Sequence, residues 1–211
     1  VEALTWQRSL VRGLRVEPQE ISLVPGQYIQ LQAPKYGKNP EPVYRAYSVA
    51  SDPADTRHVD LIIRKVPDGI CTTWVFELLE EGDEVEFNGP YGDFRLTENE
   101  NEMIFIAGGS GMAPFRSILS VMKQEQDPRK TRYFFGARSL RDLFYLEEMK
   151  QLEDELPDFK FVPALSEPQT RILPGKRKPL PTRTGRCRSP IPPLPRTTRR
   201  QHLIPAKPPP H

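Results

Sequence analysis

Residues 103–122, MIFIAGGSGMAPFRSILSVM, constrain the fold of this chain more than any other stretch. They begin with a fully apolar segment, which is typical of a strand in a parallel sheet whose two faces are both covered. A glycine-rich turn follows, and apolar residues then recur at i, i+3, i+4 and i+7, the spacing of an amphipathic helix: Phe115, Ile118, Leu119 and Met122. Pro114 suits the first position of that helix. A strand that runs through glycines into a helix predicts a parallel α/β unit.

The residues that follow repeat the alternation of strand and helix. TRYFFGA, 131–137, predicts a second strand, and FKFVPALS, 159–166, predicts a third. Between them we expect a helix over roughly 141–155 that Ser139 caps. The order βαβαβ is half of a doubly wound nucleotide-binding domain. We place this incomplete parallel α/β domain at 99–169, with the boundary in the polar stretch TENENE.

Residues 1–98 predict a different architecture. The alternation in GQYIQLQAP, and the apolar segment HVDLIIRKV before a PDG turn, are typical of short strands. DEVEFNGPYGDF also alternates, and we expect it to break at Gly89 and Pro90. Several short strands at this spacing indicate an antiparallel barrel. The predicted fold class is therefore β + α/β, with a six-stranded antiparallel barrel, the incomplete parallel α/β domain and a tail.

Residues 170–211 form the tail, and their composition differs from that of the preceding chain. They contain eleven prolines and eleven Lys or Arg, but no Asp or Glu. Their apolar residues are scattered without either period, so we predict a disordered segment. We favour an out-of-frame translation as its origin. The alternatives are a genuine basic tail that binds nucleic acid, anionic lipid or a proline-binding domain, and an artefact of the sequence.

The charge of residues 1–169 limits the possible partners. This part carries 19 Lys or Arg and all 28 Asp or Glu of the chain, a net charge of −9. Such an acidic segment argues against a nucleic-acid-binding surface, because neutralising phosphates needs clustered bases. It does not argue against a small anionic cofactor, which main-chain amides and one or two bases can hold.

Cysteine and histidine usage argues against a metal centre. Cys71 and Cys187 are too few for a four-thiolate iron–sulfur site, and the three histidines have no metal-ligand spacing. We do not expect a disulfide between two cysteines so far apart, which favours a reducing cytoplasm. No apolar run approaches the ~20 residues of a membrane span, and the N-terminus has no recognisable signal peptide.

Three short stretches carry candidate binding chemistry. RAYS, 45–48, places a cation and an aromatic ring on one face of a strand, next to a hydroxyl. GICTT, 69–73, opens a helix with small residues and main-chain amides, which suits an anion. GGSGMAP, 108–114, lets the main chain approach a diphosphate at a helix N-terminus. Each also fits a plain structural role: a surface Arg beside a packed Tyr, an ordinary helix start, and a glycine turn without the complete GxGxxG pattern.

In this order and on these two domain types, the three stretches resemble the ferredoxin–NADP reductase superfamily of FAD/NAD-binding oxidoreductases. The resemblance covers about 5–169 and includes PGQYIQL, GDEVEFNGPYGDF and FFGARSLRDLFYLEEM. The last of these, with RAYS and GGSGMAPFRS, is similar to the reductase subunit of Na⁺-translocating NADH:quinone reductases and its soluble relatives. The resemblance implies a flavin-binding barrel followed by a nicotinamide-binding domain.

The resemblance also implies roles for individual residues at the flavin. Arg45 would pair with the flavin phosphate, Tyr47 would lie against the isoalloxazine ring, and Ser48 would hydrogen-bond near N5. Tyr47 and Ser48 are therefore the catalytic candidates. The second phosphate contact would involve three residues at the helix start: Gly69, Cys71 and Thr72.

The nicotinamide dinucleotide would be held by residues after the parallel strands: Gly108, Gly109, Gly111, Met112, Pro114, Gly136 and Arg138. Relatives that prefer NADPH often carry a Ser-Arg pair after the third strand. Here the pair is Ser166 and Glu167. A carboxylate at that place would repel the 2′-phosphate, so we expect NADH.

The expected activity is hydride transfer from NADH to FAD, with FMN the less expected flavin, and then release of single electrons. The expected acceptor is an iron–sulfur, quinone or oxygenase-type partner with a [2Fe–2S] centre on another protein or domain. We expect a cytoplasmic protein, or one at the cytoplasmic face of a membrane complex. The main alternative is a flavin-binding but inactive module, because the family's Cys-Gly-Pro motif and later strands are not found here. A basic-tail interaction protein is the second alternative.

Overall fold

The computed structural model describes residues 2–8, 11–18, 21–37 and 39–167. The predicted disordered tail at 170–211 lies outside the described residues. Strands and helices alternate in chain order as follows: β1 (Glu2–Arg8), β2 (Val11–Val16), β3 (Tyr28–Ala33), β4 (Val43–Ser48), β5 (Val59–Arg64), α1 (Ile70–Glu77), β6 (Phe87–Tyr91), β7 (Met103–Gly108), α2 (Met112–Glu125), β8 (Thr131–Ala137), α3 (Leu146–Glu155) and β9 (Phe159–Leu165).

The first six strands form two antiparallel sheets, in the orders β1-β2-β5 and β4-β3-β6. A bridge between Val49 and Leu61 joins the end of β4 to β5. In β3, Ile29, Leu31 and Ala33 are buried and the residues between them are not, as a strand with one face on a core requires. Helix α1 packs on the same core. The predicted six antiparallel strands are confirmed.

The last three strands form a parallel sheet in the order β7-β8-β9. Their register pairs Gly108 with Gly136, and Gly136 with Ala164. One sheet face packs on α2 and α3 through a core of aromatic side chains that includes Phe105, Tyr133 and Phe135. Because the strands are parallel, the loops after β7, β8 and β9 meet at one edge, where α/β proteins bind ligands.

The other face of the parallel sheet corrects one prediction. Ile104 is 66% exposed and Ile106 is 73% exposed, so within the described residues the apolar strand β7 is covered on one face only. The apolar run predicted cover on both faces because periodicity cannot show which neighbours are supplied by residues elsewhere in the fold. Strand β7 therefore has an open apolar face.

Three element boundaries also differ from prediction. Helix α2 begins at Met112, two residues before Pro114, after a 3₁₀ turn at Gly109–Gly111. Strand β6 continues through Gly89 and Pro90 to Tyr91. Ser139 caps the 3₁₀ turn Leu140–Asp142 and not α3. The Asp142 carboxylate accepts hydrogen bonds from the main-chain N–H of Ser139 at 2.9 Å and from the Ser139 hydroxyl at 2.7 Å, which closes the turn there.

Candidate functional site

Strand β4 presents the RAYS segment at the edge of its sheet. Among the described strands it pairs with β3 alone, with Tyr28 opposite Ser48 and Ile29 opposite Tyr47. Arg45 is exposed, and Tyr47 and Ser48 are half-buried. The guanidinium of Arg45 donates to the carbonyl oxygen of its neighbour Tyr44 at 2.8 Å. The cation, ring and hydroxyl of the segment therefore remain accessible to a ligand.

Helix α1 brings Cys71 to this segment. The Tyr47 hydroxyl and the Cys71 thiol are close enough to interact, and Arg45 is close enough to act on both electrostatically. Burial, and then the interaction with Cys71, raise the pKa of Tyr47 well above its usual range. Burial raises the pKa of Cys71 as well, so both groups stay neutral at physiological pH. The structure thus places Arg45, Tyr47 and Cys71 together, although they come from two elements.

The turn before α1 is closed by Thr72. Its hydroxyl accepts from the N–H of Val66 at 3.2 Å and lies 3.2 and 3.3 Å from the carbonyl oxygens of Val66 and Gly69. A Cβ on Gly69 would lie 2.6 Å from that hydroxyl, so the turn requires glycine. Because Thr72 is buried and its hydroxyl is used inside the turn, the polar groups that α1 offers to a ligand are main-chain N–H groups. No side chain of the residues that the structure describes caps this helix start, and such N–H groups suit an anion.

The glycine loop joins β7 to α2 at the edge where the parallel strands end. Gly109 has a φ of +55°, which glycine adopts at no cost. A Cβ on Gly108 would lie 2.9 Å from the carbonyl oxygen of Gly136, so β7 and β8 approach closely there. The start of α2 has no side-chain cap. The side chain of Met112 is fully buried, and its main-chain N–H donates to the carbonyl oxygens of Gly109 and Ser110, so Met112 fixes the start of the helix.

The loops after β8 and β9 bring Arg138 and Glu167 together. The main-chain N–H of Glu167 donates to the carbonyl oxygen of Arg138 at 2.7 Å, and that of Ser166 donates to Ala137 at 3.0 Å. The Arg138 guanidinium then donates to the Glu167 carboxylate at 3.1 Å. Both side chains are exposed. Sequence analysis placed both residues at this edge but did not anticipate that they pair.

Arg64 is a candidate that sequence analysis missed. It ends β5, is exposed, and its Cδ lies 3.9 Å from the position of a Cβ on Gly109. A cation therefore stands beside the glycine loop, at the point where β5 leads to α1. The signal was present in IIRKV, where a basic pair ends a buried strand, but its proximity to a loop 45 residues later depends on the fold.

Metal clusters and membrane-spanning helices are both absent from the described part of the chain. No group of three or more His, Cys, Asp or Glu side chains is arranged to hold a metal ion there. None of the helices in that part is long and apolar enough to cross a membrane.

Comparison with known protein families identifies both parts of the chain. Residues 7–96 match the oxidoreductase FAD-binding domain, and residues 105–176 match the oxidoreductase NAD-binding domain. These matches, like the antiparallel and parallel parts of the fold, follow one another in the chain. The helix starts agree with such cofactors in that neither has a side-chain cap among the described residues, and helix N-termini suit a diphosphate.

Similar proteins are reductases and reductase components. A subunit of the Na⁺-translocating NADH-quinone reductase of Psychrobacter arcticus is 37% identical in an alignment 190 positions long that covers 72% of this chain and 46% of that protein. The phenol hydroxylase P5 protein of Acinetobacter pittii is 38% identical over 161 residues, 75% of this chain and 44% of that protein. This chain therefore spans about half the length of the curated relatives it matches.

Solved structures show the same fold. The Amycolatopsis cytochrome P450 reductase GcoB superposes with a TM-score of 0.71 at 31% identity, covering 80% of this chain and 50% of that one. The FAD/NAD-binding domain of a Vibrio cholerae nitric oxide dioxygenase superposes with a TM-score of 0.70 at 19% identity, over 82% of this chain and 80% of that one. The resemblance drawn from the sequence motifs is confirmed.

Proposed function

We propose, since this chain belongs to the ferredoxin reductase family of FAD- and NAD-binding oxidoreductases, that it takes hydride from NADH onto FAD and passes the electrons to a separate acceptor. The observation that supports this most directly is the grouping of Arg45, Tyr47 and Cys71 beside the uncapped start of α1. The glycine loop lies against the end of β5, the strand that leads into α1.

FAD, when bound, supplies the ring that accepts hydride; the chain's own residues bind and orient the two reactants. We propose that Arg45 binds flavin phosphate, that Tyr47 packs on the flavin ring, and that the hydroxyl of Ser48 hydrogen-bonds to it. The start of α1, where Gly69, Cys71 and Thr72 are the proposed positions, provides main-chain donors from its first helical residues for the remaining phosphate charge. The N–H of Gly69 itself donates to Val66 at 3.1 Å. Tyr47 stays protonated because its pKa is raised by burial, so it places no negative charge beside a ring that gains electrons when it accepts hydride.

The dinucleotide is proposed to lie along the ends of the parallel strands. Main-chain groups of the glycine loop approach its diphosphate, and Arg64 supplies a positive charge beside Gly109. The remaining positions proposed to bind it are Gly108, Gly111, Met112, Pro114, Gly136, Arg138 and Ser166. We propose that the flavin binds to residues 1–98 and the dinucleotide to residues 99–169, which are the predicted domain boundaries.

Preference for NADH is proposed from the pair of Arg138 and Glu167. The carboxylate already neutralises the cation that a 2′-phosphate would seek, and it would repel the phosphate itself. A 2′-hydroxyl carries no charge and does not meet this penalty. Glu167 therefore disfavours NADPH more than NADH.

The proposed acceptor is a protein or domain with an iron–sulfur centre, within an oxygenase or a quinone reductase. Relatives bear the names of both systems: a propane 2-monooxygenase reductase component from Mycolicibacterium goodii, and the NADH-quinone reductase protein of Psychrobacter arcticus. A place in the cytoplasm, or at the cytoplasmic face of a membrane complex, belongs to the same proposal.

The test is anaerobic reduction of the full chain reconstituted with FAD. Stoichiometric binding of FAD and bleaching of its absorbance by NADH are expected, with NADPH less effective. Tyr47→Ala and Ser48→Ala should lower flavin affinity or the bleaching rate. Tyr44→Ala is the matched control for Tyr47→Ala, since Tyr44 lies on the face of the strand opposite Tyr47 and contacts Gln32 and Glu86. Failure to bind FAD would overturn the proposal.

An inactive flavin-binding module remains the alternative, and one observation favours it. The parallel sheet has the open apolar face at Ile104 and Ile106, which weakens the part of the fold that would hold the dinucleotide. FAD binding without any bleaching by NADH would select this alternative. Bleaching at a rate that depends on NADH concentration would exclude it.

A further inference from the structure

Arg116 connects helix α2 to the antiparallel part of the fold. Its side chain is 22% exposed, and Nη1 donates to the carbonyl oxygen of Ala50 at 2.8 Å. The same nitrogen lies 3.4 Å from Oδ2 of Asp60, whose side chain is almost fully buried. Ala50 and Asp60 are themselves linked, because the N–H of Ala50 donates to the carbonyl oxygen of Asp60 at 2.7 Å. One side chain of α2 thus reaches both Ala50, two residues after the RAYS segment, and strand β5.

The guanidinium is held equally firmly on its other side. Nε donates to Oε1 of Glu148 at 2.8 Å, and Cζ lies 4.7 Å from the centre of the Tyr145 ring. Asp60 is fixed in turn by Arg15, through contacts of 2.8 and 3.0 Å. Planar guanidinium groups held at several points have few alternative orientations, and a lysine cannot reproduce this geometry.

The place of Arg116 in the chain gives these contacts a consequence for the site. Ala50 follows Ser48 by two residues, and Arg116 follows Gly111 by five within one rigid helix. We propose that Arg116 is a positioning residue that fixes the glycine loop relative to strand β4, and so sets the approach of nicotinamide to flavin. This inference rests on the proposed function, and it assigns Arg116 no contact with either cofactor.

The expected effect is a loss of rate with little loss of binding. A displacement of about 1 Å between reacting groups lowers a rate by roughly 100-fold. For Arg116→Lys we expect single-turnover reduction of FAD by NADH to slow by about 10- to 100-fold. FAD content and the Kd for NADH should change by less than about threefold, since no proposed ligand is removed. The long-wavelength charge-transfer absorbance of the NADH–FAD complex should weaken, because it reports the stacking of the two rings.

A matched control comes from Arg132 on the same parallel sheet. It pairs with Asp158 at 2.7 Å and donates to main-chain oxygens of Thr131 and Asp158, all within the α/β part. Arg132→Lys makes the same chemical change without touching the antiparallel part. It should leave the bleaching rate and the charge-transfer absorbance unchanged.

A second measurement needs no cofactor. Hydrogen exchange in the flavin-free chain should be faster in Arg116→Lys at residues 111–113 and at Ala50, and unchanged there in Arg132→Lys. If Arg116→Lys does not fold, Glu148→Gln, which weakens one contact of the same guanidinium, is measured in its place and should show a smaller change of the same kind.

The outcomes separate this inference from the proposed function. Absence of NADH-dependent bleaching in the unmodified chain would refute the function, and the exchange comparison alone would then decide the inference. Bleaching at an unchanged rate in Arg116→Lys would refute the inference alone. Parallel losses of FAD content and rate would also refute it, because they would show a general structural role.

Discussion

Removing the carboxylate of Glu167 should increase affinity for NADPH and leave affinity for NADH unchanged. In the structure Glu167 and Arg138 form an ion pair at 3.1 Å, with side chains 61% and 73% exposed. Glu167→Gln removes the negative charge while keeping the size of the side chain. Arg138 is then free to pair with a 2′-phosphate, and the repulsion between that phosphate and Glu167 disappears.

The size of the effect follows from the exposure of the pair. Two unit charges about 4 Å apart interact by about 1 kcal/mol in water, and a phosphate monoester carries a charge of about −1.5 to −2 at pH 7. Relief of repulsion therefore contributes about 1.5–2 kcal/mol. Exposed ion pairs add less than about 1 kcal/mol each. We expect a total near 2 kcal/mol, which is roughly a 30-fold lower Kd for NADPH.

The assay is titration of the FAD-loaded chain with NADPH and NADH, followed by flavin fluorescence, at low and at high salt. The gain for NADPH should shrink at high salt, because exposed charges are screened. Glu147→Gln is the control, since Glu147 pairs with Lys150 at 2.8 Å on an exposed face of α3. The reasoning is wrong if Glu167→Gln leaves the Kd for NADPH unchanged. It is also wrong if adding Arg138→Gln abolishes the whole gain, because relief of the repulsion does not require Arg138.

Three further predictions concern stability. Tyr133→Phe should raise the free energy of unfolding by about 1 kcal/mol, because the buried Tyr133 hydroxyl has no hydrogen-bond partner among the described residues. Urea denaturation measures this change, and a loss of stability would contradict the prediction. Asp60→Asn should lower the free energy of unfolding by about 3 kcal/mol, since it breaks buried ion pairs. Asp158→Asn, in a half-exposed pair, should lower it by at most about 1 kcal/mol. Equal losses of stability in the two variants would be evidence against the argument. Burial raises the pKa of Tyr145 to about 12, so the folded chain holds this proton more tightly than the unfolded chain, and stability present below about pH 10 falls as the pH rises above it. Tyr145→Phe should make that alkaline fall less steep in urea titrations, and an unchanged slope would exclude Tyr145 as a cause.

Local patterns predicted the elements that carry the site. The alternation in YIQLQA predicted which residues of β3 are buried, because a strand with one face on a core has a side-chain period of two. The strand–glycine–helix sequence likewise predicted β7 and α2. RAYS predicted Arg45 and Tyr47 on one face, and the structure brings both to Cys71. Their roles toward FAD stay predictions.

Contacts between distant segments were not predictable in the same way. Arg116 and Asp60 are 56 residues apart in the chain, and neither stands in a pattern that names its partner. The pairing of Arg138 with Glu167 depends on the register of β8 and β9. Ser139 was assigned to the wrong helical segment because Asp142 closes a short turn before α3 begins. The Ser139 error comes from a local side-chain hydrogen bond that competes with the helix start, whereas the two ion pairs join residues that only the fold brings together.

Strand β5 is anchored at both ends, and this limits how its sequence can change in length. Asp60 binds Arg116 near one end, and Arg64 lies beside Gly109 at the other. The two positions are four residues apart, about 13 Å along a strand, and face the same side. Inserting or deleting one residue between them would turn one anchor to the opposite face. Among homologues, length variation should therefore fall in the loop at 52–58, while β5 itself changes only by substitution.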